Sequence, residues 1–106
     1  MLNEFTLGNS VELISRVPDN YVDLIWTDPP FNTGDVQKHS DGNSYKDIHT
    51  DYHSLMDTIA KESHRVLKPT GSLVMLLDYR AVHDVKVLLD KYFTPDNFRG
   101  EIIWLS

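Results

Sequence analysis

The chain has 106 residues, 41% of them apolar, no cysteine and a formal net charge of −6. Those figures exclude disulfides and thiolate metal sites. They also exclude a membrane-spanning helix, since no apolar run approaches the roughly 20 residues one needs, and they argue against a stand-alone nucleic-acid binder, which needs clustered Lys and Arg. One small globular domain, or part of one, is left, with the cytoplasm as its default location.

Glu4 to Gly8 alternates apolar and polar residues and breaks at glycine, which predicts a short first strand. Ser10 is the candidate N-cap of a short helix carrying Val11 and Ile14, ended by Pro18-Asp19-Asn20. The run from Val22 to Thr27 reads as a strand covered on both faces and therefore parallel, with Trp26 in the core. From Gly34 to Asp47 the chain is polar, which predicts a loop without internal structure that serves as a lid, a binding loop or a plain surface insertion. Tyr45 and Lys46 in it are candidate DNA contacts against a default of solvated surface.

The clearest helix follows. Tyr52, Leu55, Met56, Ile59, Ala60, Val66 and Leu67 recur at three- and four-residue steps behind a cap at Thr50 or Asp51. A turn at Lys68-Pro69-Thr70-Gly71 leads into the buried strand Ser72 to Leu77, ended by Asp78. Val82, Val85, Leu89, Tyr92 and Phe93 mark another amphipathic helix, and Glu101 to Leu105, with Trp104 as a core residue, starts a last strand. The alternation of strands and helices predicts an α/β fold with a mostly parallel, doubly wound sheet. In such sheets ligands bind beyond the carboxyl ends of the strands. Asp28 and Asp78 stand at such ends, as does Asn9 if the first strand runs parallel. Asp78 reads as a strand-end or capping carboxylate, or as a residue lining the site. Asn9 is either a neighbour of the helix cap or a ligand-binding amide.

The stretch "WTDPPFNTG" carries the sharpest chemistry. Pro29 and Pro30 fix their φ angles, extend the residues before them and donate no hydrogen bonds, so nearby carbonyls can face a ligand. Asp28 contributes a carboxylate that only accepts, and Phe31 a flat face. The bland alternative is a turn that merely ends a strand. The functional one is a pocket for a flat ring bearing an exocyclic NH2, with one N–H on the carboxylate and one on a proline-region carbonyl. Two such acceptors favour a tetrahedral nitrogen whose lone pair can attack an electrophilic methyl group. A preorganised carboxylate stabilises the charge that develops, and positioning supplies much of the rest. A base within a duplex reaches such a pocket only by flipping out. Against a metal site, His49 and His53 are spaced like zinc-protease ligands, but position 50 is threonine rather than glutamate. His64 and His83 read as surface residues.

With "TDPPF" placed after an apolar strand, the chain resembles the DNA amino-methyltransferases, which methylate adenine N6 or cytosine N4 from S-adenosylmethionine. "LGNSVELISRVPDNYVDLIWTDPPFNTG", "ESHRVLKPTGSLVMLLD" and "NFRGEIIW" are similar, in order, to the circularly arranged subgroup whose catalytic motif precedes its glycine motif. The resemblance implies a partial Rossmann-like methyltransferase fold and assigns catalysis to Asp28, Pro29, Pro30 and Phe31. It also implies cofactor contacts at Gly8, Asn9 and Asp28, with no metal. Asn9 stands where the subgroup often carries aspartate, and the aspartate-phenylalanine pairing favours adenine over cytosine. Residues 1–106 would be the N-terminal, catalytic-motif part of one domain. The target-recognition region and the Phe-x-Gly-x-Gly cofactor loop are not found, so the chain alone is expected to be inactive or nearly so. DNA would be engaged through the complete enzyme of a restriction-modification system, and exposed sheet edges would favour self-association. Cytosine-N4 or RNA methylation and a non-enzymatic interaction module are the alternatives.

Overall fold

The computed structural model describes residues 6–29, 36–38, 44–46 and 49–103. Helix α1 (Ser10–Ser15) precedes strand β1 (Val22–Thr27), a ribbon of β2 (Val36–Lys38) and β3 (Ser44–Lys46), helix α2 (His49–Val66), strand β4 (Leu67–Met75) and helix α3 (Val82–Phe93). β1 and β4 pair in parallel, joined by a crossover through α2, and β2 and β3 pair antiparallel. The α/β class and the parallel pairing expected from the sequence are both found.

The helices form where apolar spacing demands them. Along α2, Tyr52, Met56, Ala60, Ser63 and Val66 are buried, a stripe at three- and four-residue steps. It packs on Ala81, Val85 and Leu88 from α3 and its approach, with Ile59, Met75, Leu77 and Leu89 around the cluster. The two helices are also tied at their surface, where the Tyr92 hydroxyl donates to Asp57 Oδ1 at 2.9 Å.

Short α1 is held from outside. Its cap is Asn9 rather than Ser10, since Asn9 Oδ1 accepts from the backbone N–H of Val11 at 2.9 Å and of Glu12 at 3.4 Å. At the other end Arg65 of α2 donates to the carbonyls of Val17 at 2.7 Å and Ile14 at 3.0 Å, and to Asp19 at 2.7 Å. One guanidinium thus ties the C-terminal end of a six-residue helix and the turn after it to α2. The same corner starts the sheet, because Asn20 and Tyr21 donate to the carbonyls of Arg65 and Val66.

Four further expectations change. The turn expected at Lys68–Gly71 lies within β4. Leu67 pairs with Val22 and Ser72 with Leu24, so residues 68–71 of β4 stand against Asp23 alone as an irregularity in the ladder. A Cβ on Gly71 would lie 3.1 Å from the carbonyl oxygens of Asp23 and Lys68, a close approach that favours glycine. The polar stretch expected to lack structure contains the β2–β3 ribbon, since backbone pairing needs no apolar anchor. At the chain ends, residues 6–8 and 101–103 join no ladder, and the rest of both expected terminal strands, Trp104 included, lies outside the described residues.

The fourth correction concerns Trp26, which is 69% exposed rather than core. In the parallel register Ile25 and Thr27 share a face with Leu73 and Met75, and that face meets the helices. Leu24, Trp26 and Leu76 point the other way and are exposed. Among the described residues, β1 is therefore covered on one face only.

Candidate functional site

The parallel register brings two strand ends together. Thr27 pairs with Met75, and the Leu76 N–H donates to the Thr27 carbonyl at 2.9 Å, extending the ladder to the carboxyl edge. Asp28 follows directly, exposed at the end of β1, while Pro29 beside it is buried. A buried ring with a fixed φ anchors the backbone on which the carboxylate stands. Asp28 is thus presented to solvent next to a buried residue of restricted φ. Pro30 and Phe31 lie outside the described residues.

Asp78 reaches the same edge in a different state. Its carboxylate accepts from Arg80 three times, from the backbone N–H at 2.8 Å, Nε at 3.0 Å and Nη2 at 2.7 Å. Its carbonyl accepts from the N–H groups of Ala81 and Val82 at the start of α3. The Arg80 guanidinium, followed by the Arg80 backbone N–H, holds the Asp78 carboxyl at about 2, below its ordinary value of 3.8. Of the two roles foreseen for Asp78, the structural one is in place: it locks the turn between β4 and α3. The local pattern Asp-Tyr-Arg is the only trace of this latch in the sequence.

Arg80 also stacks, with its guanidinium carbon 5.4 Å from the centroid of the Tyr79 ring. Tyr79 as a whole is 79% exposed. Beside it, a cleft of about 320 Å3 opens between the first turns of α2 and α3, with Met56, Val85 and Leu88 as its apolar floor and His53, Arg80 and Asp84 at its rim.

Gly8 and Asn9 lie at the start of α1. Gly8 has φ +155°, and a Cβ there would come within 3.2 Å of the Leu13 side chain. Asn9 is exposed, and its amide oxygen already serves the helix as a cap. Between α1, β1 and α2 there is a recess of about 80 Å3, lined by Val11, Ile14, Ile25, Thr27 and Ile59 among others. Pockets that enclose a molecule of S-adenosylmethionine's size run to about 300 Å3 or more. The recess beside α1 is well below that size. Among the described residues no cluster of three or more His, Asp or Glu could hold a metal ion, and no helix is long and apolar enough to cross a membrane.

Comparison with known proteins gives these positions a context. A family model described as DNA methylase matches residues 22–106. The chain is 30% identical over 95 residues to the type II methyltransferase M.KpnI of Klebsiella pneumoniae, covering 85% of this chain and 23% of that protein. It is 33% identical over 100 residues to the DNA adenine methyltransferase YhdJ of Escherichia coli K12, covering 92% of this chain and 31% of that protein. It is 26% identical over 136 aligned positions to the Mod subunit of the type III restriction-modification enzyme StyLTI of Salmonella typhimurium, covering 96% and 20%. The chain therefore spans less than a third of the length of each of these relatives.

Proposed function

This chain belongs to the DNA methylase family, and from that premise we propose that it carries the base-binding half of a DNA adenine-N6 methyltransferase. The observation that carries the reading is the carboxyl edge of the β1–β4 pair, where an exposed aspartate follows the strand and a buried proline adjoins it. An acceptor presented to solvent there suits an incoming amine. Asp28 accepts one N–H of the target amine and the Pro29 carbonyl the other, with Pro30 completing the motif and Phe31 stacking on the flipped base. The charge that grows on the nitrogen falls beside a carboxylate that does not have to move. Adenine is favoured over cytosine by the aspartate-phenylalanine pairing, and the adenine methyltransferase among the relatives supports that choice.

S-adenosylmethionine supplies the methyl group when bound. From this chain, Gly8 and Asn9 would contact its adenine, the exposed Asn9 amide offering donors while its oxygen caps α1, with Asp28 at the boundary between cofactor and base. The remaining enclosure, the glycine-rich loop and the target-recognition region belong to the part of the domain beyond residues 1–106. The net charge of −6 also leaves most of the DNA grip to that part. The chain by itself is then inactive or nearly so, and its site of action is the cytoplasm, where DNA and cofactor meet.

Self-association belongs to the same reading. Leu24, Trp26 and Leu76 form an exposed apolar face on a two-stranded parallel sheet whose outer edges are unpaired among the described residues. Unpaired edges and apolar faces recruit other chains.

Isotope-label transfer from S-adenosylmethionine to mixed-sequence duplex DNA tests the activity, with calorimetric titration of the cofactor and its demethylated product beside it. Weak cofactor binding without turnover is expected. Turnover that disappears on Asp28→Ala would show that these residues suffice on their own, and the absence of cofactor and nucleoside binding would favour an interaction module.

A further inference from the structure

Tyr79 has no place in the chemistry above, yet it is among the most exposed large side chains described, on the same strand-end edge as Asp28. Large aromatic rings normally bury much of their area, and this one stands in solvent at the carboxyl edge of the sheet. The ring is also held in place. Arg80 lies against it at 5.4 Å, Arg80 is fixed by three hydrogen bonds to Asp78, and Asp78 is fixed by its carbonyl at the start of α3. A cation behind an aromatic ring draws electron density toward itself. The surface opposite the cation is thereby a better partner for an electron-rich purine.

We infer that Tyr79, backed by the Arg80–Asp78 latch, is a stacking platform for a nucleobase of the strand that delivers the target to Asp28. The inference rests on the base-binding reading of that edge and adds a second aromatic surface to it. Tyr79 acts as a positioning residue. Its ring takes base area rather than a base's hydrogen-bonding edge, so it selects no sequence but restrains the strand while the target is out of the stack. Arg80 contributes from behind the ring and is occupied by Asp78, which is how an acidic chain can hold a base without a basic groove.

The test is a titration of the whole 106-residue chain with single-stranded trideoxyadenylate at low salt, followed by nuclear magnetic resonance. An abasic trinucleotide serves as control. Expected are shifts of the Tyr79 ring protons and of the Asp28 amide, with the abasic trinucleotide binding weakly or not at all. Tyr79→Leu should weaken binding by about 5- to 150-fold, the range for losing one base–aromatic stack, and Tyr79→Phe should stay within about twofold of the parent. Circular dichroism of both variants should match the parent, because the side chain is on the surface.

Parent-like binding by Tyr79→Leu overturns the platform, and if Asp28→Ala weakens binding in the same series the base-holding role of Asp28 survives it. Loss with Tyr79→Leu but not with Asp28→Ala keeps the platform and removes that role. Equal binding of the abasic trinucleotide, or no shift at the Tyr79 ring at saturation or at millimolar ligand, overturns the platform outright.

Discussion

The two faces of the β1–β4 pair are built from similar residues and have opposite fates. Ile25, Thr27, Leu73 and Met75 turn toward the helices, where Met56 and Val85 close a continuous core. Leu24, Trp26 and Leu76, one step along the same strands, stand in solvent. Composition does not separate the faces; the presence of α2 and α3 on one side does. In a sheet the helix-covered face carries stability, while an open apolar face is a surface awaiting a partner.

The largest expected effect tests that division directly. Met56 is fully buried beneath the covered face, so Met56→Ala should cost about 2–5 kcal/mol, transfer and cavity terms combined. Truncating exposed Leu76 to Ala should cost less than about 1 kcal/mol. Urea midpoints of the two variants make the comparison, and similar losses would mean that the faces are not energetically distinct.

Next comes the point where the strands are kept in register. Gly71 closes the irregular stretch of β4 opposite Asp23, and an added methyl meets two backbone carbonyls at 3.1 Å and the Leu67 side chain at 2.8 Å. The Leu67 side chain can rotate away, but the carbonyls belong to the ladder itself. Gly71→Ala should therefore destabilise by about 1–3 kcal/mol. Equal stability in thermal unfolding would show that the stretch relaxes freely and does not hold the strand ends level.

These two sites also show what was legible in the sequence. The α2 and α3 stripes and the parallel pairing were readable because apolar spacing and a dense apolar run each have few structural solutions. Asp28 was readable as a strand-end carboxylate because two prolines follow it. The exposure of Trp26 was not. An apolar run says that a strand can be buried on both faces, whereas whether anything covers each face is decided by elements distant in sequence. The Asp78–Arg80 latch was missed for a different reason: charges two residues apart meet only in a turn whose geometry the tertiary fold sets. Gly71 suggested a turn, yet its close approach to Asp23 involves a partner far away in the chain.

A smaller effect is expected where the faces meet, at the carboxyl edge. The folded-state pKa of Asp78 is depressed to about 2 from 3.8. Its contribution to stability is thus fully present above the unfolded value and is lost as the pH falls from about 4 through about 2. Acid titration of the parent followed by circular dichroism should show that loss, and Asp78→Asn should flatten the curve in the same window. An acid limb that Asp78→Asn leaves unchanged would show that the latch adds nothing to the fold.

The smallest change in stability should come from Trp26, and it sharpens the comparison most. With 69% of its surface already in water, Trp26→Ser removes little that folding buried, and the unfolding free energy should change by no more than about 0.5 kcal/mol. If the open face recruits a second chain, the same substitution should shift sedimentation and light scattering toward monomer at high micromolar concentration. The two readouts separate the possible roles. A large stability loss would place Trp26 in a core that the open-face description lacks, while a parent that is already a clean monomer would remove self-association and leave the face without that use. Lost association at nearly constant stability would assign the two faces different work, one holding this chain together and the other holding it to its like.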